Sequence, residues 1–174
     1  MLLATVEEGG PEFDEAYAAV IDYMKANCGY AELDVAASEY RFDGLPSNLP
    51  AGPTIITLDN IGEEVHEIYI GRVNNDVTLT VEELAELPED QLHGPMVTPT
   101  AFAFSVPGAI GYGAADLTPG RYIAVCFLPE GATPEVLMQL DEAGVDGPED
   151  SLPAGIEVGP AHYTIGMIHE FNVT

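Results

Sequence analysis

Apolar residues near the start of the chain recur at helical spacing. Between positions 11 and 27 they follow an i, i+3, i+4 rhythm on one face: Phe13, Ala16, Tyr17, Val20, Ile21 and Met24. Acidic residues occupy the first turn, where the helix dipole favours them, and Gly29 follows the end as a capping glycine does. The pattern predicts a helix over residues 11–27.

From Ala31 onward the apolar pattern changes to short runs that glycine and proline turns separate. The runs that read as strands cover residues 33–42, 54–58, 65–73, 102–106, 112–117, 121–128 and 165–173. Short strands of this kind, bounded by turn residues, are typical of an all-β sandwich. The sequence therefore predicts an all-β fold.

Two stretches interrupt the strand pattern with helix-start signals. Thr80 and Glu83 form a capping box, which predicts a short helix to about residue 87. Thr133 followed by Pro134 predicts a second helix, to about residue 142. The predicted organisation is a helical appendage at 1–30 and a main domain at 31–174, with insertions near 74–100 and 129–160.

The net charge of the chain indicates which classes of partner it attracts and which it repels. The chain has 30 Asp and Glu against 4 Lys and Arg, a formal net charge of −26. Such a surface repels nucleic acid and anionic lipid, and it attracts cationic proteins and metal ions. Acidity of this kind is equally typical of a protein kept soluble in a salt-exposed setting. We expect no nucleic-acid partner.

Sequence signals of targeting and of common enzyme classes are missing. The sequence contains no run of about 18 apolar residues, so we expect no transmembrane helix. The first ten residues contain Glu7 and Glu8 and no basic region, so we expect no signal peptide, and the chain is either cytoplasmic or a mature form. The serines lie in no nucleophile-elbow context, and neither a Walker A motif nor a G-x-G-x-x-G motif occurs.

One part of the chain offers soft metal ligands in order. Cys126 ends an apolar run, and His162 and Met167 follow with four residues between them. Upstream, His66 opens a predicted strand just after Asn60. A thiolate, two imidazoles and a weak axial thioether form the ligand set of blue-copper electron-transfer sites.

The segments around these residues resemble the plastocyanin-like blue-copper proteins, the cupredoxin family. Residues 60–66 resemble that family's first-histidine motif, and residues 119–126 resemble the strand that delivers the copper thiolate. Residues 160–173 resemble its last loop and strand. The resemblance covers about residues 31–174. It implies a cupredoxin-like Greek-key β-sandwich that holds one copper ion, cycling between Cu(I) and Cu(II).

The resemblance also implies a role for each ligand candidate. His66, Cys126 and His162 are the expected strong trigonal ligands, and Met167 is the expected long axial ligand. Asn60 is expected to tie the loops beneath the metal through a side-chain hydrogen bond.

The sequence departs from the family in one spacing. Cys126 and His162 are 36 positions apart, whereas in common members only a few residues separate the cysteine from the second histidine. The insertion must therefore loop out and return His162 to the same end of the sandwich. Closing a longer loop costs only about 0.6 kcal/mol per doubling of its length. Beside the two ligands, Phe127 and Tyr163 are predicted members of an apolar collar around the thiolate.

Simpler interpretations of these residues remain open. Cys126 at the end of an apolar strand is also typical of an ordinary buried thiol, and it has one possible disulfide partner, Cys28. The resemblance places Cys126 at the metal, so we expect the two cysteines to be unbonded. His169 is interpreted as a structural or surface residue and His93 as solvated.

The resemblance implies a non-enzymatic protein that passes single electrons between redox partner proteins. The acidic surface predicts partners with a basic docking surface, and the family implies a periplasmic or extracellular location. Two alternatives remain. One is a copper carrier or storage module with the same ligands, and the other is a metal-free cupredoxin-like domain that binds proteins.

Overall fold

Two β-sheets packed face to face form the body of the molecule in a computed structural model that describes residues 11–145 and 152–174. The helices are α1 (Pro11–Asn27), α2 (Val81–Ala85), α3 (Glu89–Leu92) and α4 (Pro134–Glu142), and a 3₁₀ helix spans His162–Ile165. The strands are β1 (Ala31–Ser38), β2 (Arg41–Asp43), β3 (Asn48–Leu49), β4 (Gly52–Asn60), β5 (His66–Val73), β6 (Val97–Ser105), β7 (Ile110–Leu117), β8 (Gly120–Val125) and β9 (Ile168–Val173).

The sheets have four and five strands. The first runs in the order β2-β1-β4-β7 and the second in the order β3-β9-β8-β5-β6. Pairing is antiparallel except between β1 and β4 and between β3 and β9, which are parallel. The chain therefore passes repeatedly from one sheet to the other. The predicted all-β sandwich, with an N-terminal helix and short inserted helices, is confirmed.

Side chains alternate between two apolar clusters on the five-stranded sheet. The inner core fills the space between the sheets and includes Leu33, Ile56, Leu58, Ile68, Ile70, Tyr122, Ala124, Cys126, Met167 and Phe171. What we call the outer cluster lies on the opposite face of the five-stranded sheet and consists of Tyr69, Val73, Leu84, Leu92, Val97, Ile123, Val125 and Tyr163. The period of two along β5 and β8 sends neighbouring residues to opposite clusters.

Residues 74–96 cover this outer face. Leu84 of α2 and Leu92 of α3 are both fully buried. The predicted capping box is confirmed: the Glu83 N–H donates to Thr80 Oγ1 at 3.3 Å, and the Thr80 N–H donates to Glu83 Oε2 at 2.8 Å. The inserted helices thus supply the apolar side chains that keep one face of the five-stranded sheet out of water.

Helix α1 contacts the four-stranded sheet through Lys25 and through Tyr17, whose ring meets that of Tyr112 on β7. Lys25 Nζ donates to Asp34 Oδ1 at 3.1 Å and to Thr57 Oγ1 at 2.9 Å, and it is 3.4 Å from Glu32 Oε2. Ile21 on the same helix is buried. The helix spans the predicted residues, and Gly29 beyond it has a φ of +67°, as expected of a capping glycine.

Several details differ from the strand and helix predictions, among them the short strand β3, which was not predicted. The run at 33–42 divides into β1 and β2, because the chain reverses at Glu39 and Tyr40 and the two strands pair antiparallel. The run at 165–173 becomes a strand only from Ile168, after Gly166 turns the backbone with a φ of +133°. Helix α3 was not predicted, because four residues are too few to show a helical period.

Candidate metal centre

Three buried donors meet at one end of the sandwich. His66 is the first residue of β5, Cys126 directly follows β8, and His162 begins the 3₁₀ helix. All three are fully buried. Cys126 continues the inward alternation of Tyr122 and Ala124, which is why its thiol enters the inner core.

The donors lie close enough to share one ion. One ligand atom from each of His66, Cys126 and His162 lies within 4.8 Å of the others. The Cys126 Sγ is 3.3 Å from His162 Nδ1, and the two imidazole centroids are 5.1 Å apart. Within residues 11–145 and 152–174, this is the one group of three or more His, Cys, Asp or Glu donors that meets this distance.

The long insertion between Cys126 and His162 leaves and re-enters at adjacent backbone positions. The Tyr163 N–H donates to the Cys126 carbonyl at 2.9 Å, and the His162 N–H donates to the Leu128 carbonyl at 2.8 Å. An antiparallel bridge joins Pro129 to Ala161 next to them. The insertion is thus closed at its base, and its length does not displace His162 from Cys126.

Met167 lies in the inner core with Cys126 and is fully buried. Its N–H donates to the His162 carbonyl at 2.9 Å, and its own carbonyl accepts the Cys126 N–H at 3.2 Å. The backbone therefore ties this residue to two of the proposed ligands. Its role as axial ligand stays a prediction.

Asn60 ties together the loops behind His66. Its buried Nδ2 donates to the Glu64 carbonyl and to the Ser105 carbonyl, both at 2.8 Å. Its Oδ1 accepts the Gly62 N–H at 3.0 Å. These bonds fix the turn that leads into β5 against the end of β6.

Two carboxylates that the sequence analysis did not single out contact the imidazoles. Glu39 Oε1 is 3.4 Å from His66 Nε2, and Glu64 Oε2 is 3.0 Å from His162 Nε2. Glu64 lies inside the motif at 60–66, so its position was a usable signal. Glu39 is 27 positions from its histidine and carried no local signal.

Other groups hold both carboxylates in place. Glu39 Oε1 accepts the Glu63 N–H at 2.7 Å and the Glu64 N–H at 2.8 Å. Glu64 accepts the Tyr40 hydroxyl at 3.0 Å on Oε1 and the Gly131 N–H at 2.9 Å on Oε2. The Tyr40 ring also packs on His162, with centroids 4.7 Å apart.

Burial sets the protonation of the cluster. It lowers the pKa of His66 and of His162, which keeps both imidazoles neutral. Burial also raises the pKa of the Cys126 thiol to about 12, so a thiolate forms there only when a cation compensates it. For Glu39, burial would raise the pKa, but backbone N–H donors outweigh it and the pKa lies below its usual value.

One orphaned atom shows that the cluster suits a metal. His66 Nδ1 is buried and has no hydrogen-bond partner, a costly state for a polar nitrogen. The Nε2 atoms of both imidazoles face carboxylates, which leaves both Nδ1 atoms as candidate ligands. Two imidazole nitrogens and a thiolate, with Met167 buried in the same core as Cys126, form a donor set that suits copper. The donor set indicates one copper ion.

The remaining sequence candidates lie elsewhere. Phe127 and Tyr163 pack on each other in the outer region, with centroids 5.3 Å apart, whereas Cys126 points into the inner core. Each nevertheless contacts the site through its backbone: the Phe127 N–H donates to Glu67 Oε1, and the Tyr163 N–H donates to the Cys126 carbonyl. Their role as an apolar collar stays a prediction.

Two histidines and the second cysteine stand apart from the cluster. His93 is exposed, and its ring contacts Tyr69 and Phe127 in the outer region. His169 lies on β9 with a buried Nε2 that lacks a partner. Both cysteines are free, Cys28 exposed and Cys126 buried, which confirms that they are not bonded to each other.

Comparison with known proteins finds similar solved structures but no match in sequence. No protein-family model matches the chain, and no curated protein matches it in sequence. Among solved structures, the reduced auracyanin from the photosynthetic bacterium Roseiflexus castenholzii is 20% identical, with 84% of this chain and 99% of that chain covered and a TM-score of 0.43. Rusticyanin from Thiobacillus ferrooxidans is 18% identical over 82% of this chain and 77% of that chain, with a TM-score of 0.40.

A larger protein is also similar. The McoA multicopper oxidase from the hyperthermophile Aquifex aeolicus is 11% identical, with 84% of this chain and 30% of that chain covered and a TM-score of 0.41. The aligned region spans nearly the whole auracyanin chain, about three quarters of rusticyanin and less than a third of the oxidase. The chain resembles cupredoxins in the two features observed directly in it, the two-sheet sandwich and the His–Cys–His cluster.

Proposed function

We propose that the chain holds one copper ion at His66, Cys126 and His162, with Met167 as the axial ligand, and passes single electrons between redox partner proteins. The observation that carries the proposal is the convergence of the three buried donors within 4.8 Å. Copper supplies a one-electron couple between Cu(I) and Cu(II).

The residues of the chain supply rigidity and dryness. Packed strands position His66 and Cys126, and the closed base of the insertion positions His162. Full burial of all three excludes water from their donor atoms. A fixed ligand arrangement reduces the rearrangement that accompanies each electron transfer.

Burial also favours electron transfer over the two alternatives. A copper carrier must hand its ion to another molecule, and ligands that are all fully buried oppose such an exchange. A metal-free binding domain gives no reason for one thiol and two imidazoles, all buried, to converge within 4.8 Å. An enzymatic copper site keeps an accessible position for substrate, so we propose a carrier of electrons and not a catalyst.

A visible spectrum tests the proposal. We expect an intense absorption band on addition of one equivalent of Cu(II), because a thiolate bound to Cu(II) absorbs strongly. Cys126→Ser removes the band, and Cys28→Ser, the matched control at the exposed thiol, leaves it unchanged. A wild-type protein that stays colourless while its Cys126 thiol remains titratable contradicts the proposal.

The proposed partners are redox proteins with a basic docking surface. The net charge of −26 supports this, because a field of that sign steers cationic partners and raises association rates by roughly 10 to 10³ at low salt. Electron transfer to a basic redox protein should slow steeply between 0.01 M and 0.15 M salt, and transfer to an acidic one should accelerate. Equal salt dependence with both partners contradicts a steering role.

The proposed location is periplasmic or extracellular, as the family resemblance implies. Among the described residues, no helix is long and apolar enough to cross a membrane.

A further inference from the structure

Both proposed imidazole ligands have the same arrangement on their outer edge. His66 Nε2 faces Glu39 Oε1 at 3.4 Å, and His162 Nε2 faces Glu64 Oε2 at 3.0 Å. Each carboxylate is fixed by backbone N–H groups, two on Glu39 and one on Glu64. The repetition on both histidines, from carboxylates on different loops, indicates a built feature of the site.

A carboxylate beside one ring nitrogen decides which nitrogen binds a metal. A carboxylate only accepts hydrogen bonds, so a neutral imidazole that contacts it donates Nε2–H. The unprotonated Nδ1 then carries the lone pair for the metal. This assignment agrees with two independent observations: His162 Nδ1 is 3.3 Å from the Cys126 Sγ, and His66 Nδ1 is buried without a partner.

None of the chain's four basic side chains balances these two carboxylates. Lys25 contacts Glu32, Asp34 and Thr57, and Arg41 pairs with Asp43. The other two also bond elsewhere, Arg72 to Asn75 and Arg121 to Glu170. The side chains of Glu39 and Glu64 are 30% and 17% exposed, so water screens their charge only in part.

We infer that Glu39 and Glu64 are positioning residues of the metal centre, which hold both imidazoles for ligation through Nδ1 and which stabilise Cu(II) relative to Cu(I) by their uncompensated charge. The inference rests on the proposed copper site. With one thiolate and two carboxylates, the site is negative by one charge with Cu(II) and by two with Cu(I). The negative charge of the site therefore disfavours the addition of an electron to Cu(II), and the two carboxylates lower the reduction potential.

Isosteric substitutions separate charge from shape. Glu39→Gln, Glu64→Gln and the double variant keep an acceptor oxygen for the imidazole but remove the charge. Outer-shell changes of this kind cost roughly 10- to 100-fold in metal affinity, and we expect the Cu(II) affinity to fall more than the Cu(I) affinity. Each tenfold difference between the two losses raises the one-electron reduction potential by about 59 mV.

Matched controls remove the same charge from exposed positions. Glu63 is exposed and directly precedes Glu64, so Glu63→Gln is the control for the single variants. Glu86 is also exposed, and Glu63→Gln/Glu86→Gln removes the same charge as Glu39→Gln/Glu64→Gln. We expect Glu39→Gln/Glu64→Gln to raise the potential by about 59 mV or more beyond this control double variant. Equal potentials in the two double variants overturn the charge role.

A measurement on the copper-free wild-type protein tests the positioning role without any variant. Long-range ¹H–¹⁵N correlation spectra of histidine-labelled protein distinguish the two neutral tautomers. We expect Nε2–H on both His66 and His162, whereas Nδ1–H on either one overturns the positioning role at that residue. If the wild-type protein gives no copper band, the proposed function fails, and the tautomer spectrum still decides whether the carboxylates orient the rings.

Discussion

The ligand end of the sandwich and the outer cluster are both buried, but they are buried differently. The outer cluster consists mainly of apolar side chains, and residues 74–96 cover it and contribute Leu84 and Leu92. The ligand end gathers a thiol, two imidazoles and two anchored carboxylates, and one of its nitrogens, His66 Nδ1, has no partner. Among the described residues, converging metal donors occur at the ligand end, whereas the side chains of the outer cluster offer no such set.

Burial alone therefore does not mark a functional site. Apolar burial lowers the free energy of the folded chain without any ligand. Buried donors that converge and remain unpaired raise it, and the fold holds them only because the surrounding strands are fixed by other contacts. Ligand binding should therefore stabilise the two regions to different extents, which the following experiments measure.

The largest expected effect is stabilisation by the metal. At a free copper concentration about a thousand times the dissociation constant, binding to the folded state alone should raise the free energy of unfolding by about 4 kcal/mol. Cys126→Ser should lose this gain, because it removes the thiolate ligand. Denaturant titrations with buffered copper measure it, with Cys28→Ser as control. A similar gain in Cys126→Ser would place the binding site elsewhere.

A cavity in the outer cluster should lower the stability of the protein without changing the copper site. Leu84→Ala removes a fully buried side chain and should lower the free energy of unfolding on the order of 3 kcal/mol. The copper band should keep its position and intensity, because Leu84 lies outside the ligand end. The control is Met138→Ala on α4, which is 63% exposed and should change stability by less than about 0.5 kcal/mol. A shifted band in Leu84→Ala would show that the two regions are coupled.

Glu67 lies where the two regions meet. Its N–H contacts the Cys126 Sγ at 3.5 Å, and its Oε1 accepts the Phe127 N–H at 3.0 Å. Burial raises the pKa of its carboxyl to about 7, from an ordinary value of 4.5. Because the folded state then binds the proton more tightly than the unfolded state, the stabilising contribution is present below pH 4.5 and is lost as pH rises through about 7.

Glu67→Gln should therefore remove part of the pH dependence. In copper-free protein, the unfolding free energy of the variant relative to wild type should increase by roughly 2 to 3 kcal/mol between pH 4.5 and 8. Denaturant titrations across this range measure the difference. The exposed Glu63→Gln control should keep the wild-type slope. If the free energy of unfolding changes with pH in the same way in Glu67→Gln and in wild type, the Glu67 carboxyl titrates normally.

The smallest expected effect concerns the cap of the inserted helix. Thr80→Ala removes the hydroxyl that accepts the Glu83 N–H and should lower the free energy of unfolding by about 1 kcal/mol. The copper band should not change, since this helix covers the outer cluster only. Thr78→Ala, at an exposed position just before the cap, should have almost no effect. A loss well above 2 kcal/mol would mean that the whole insertion depends on this cap.

Local chemistry made much of the fold predictable. The apolar period of 3.6 predicted α1, the two caps predicted α2 and α4, and the short β-branched runs located most strands. Predictions failed where tertiary contacts decide: the reversal at Glu39, the short helix α3 and the late start of β9. The four-residue helix α3 exists because Leu92 packs into the outer cluster. None of these features has a periodic signal in the sequence.

The types of the donors and their order along the chain could be read from the sequence, because residue type and the alternation along a strand are local properties. The meeting of His66, Cys126 and His162 within 4.8 Å depends on the tertiary structure. The tertiary structure also brought Glu39, 27 positions away, against His66. Contacts between distant segments depend on how strands pair and where loops close, and no single stretch of sequence encodes that geometry.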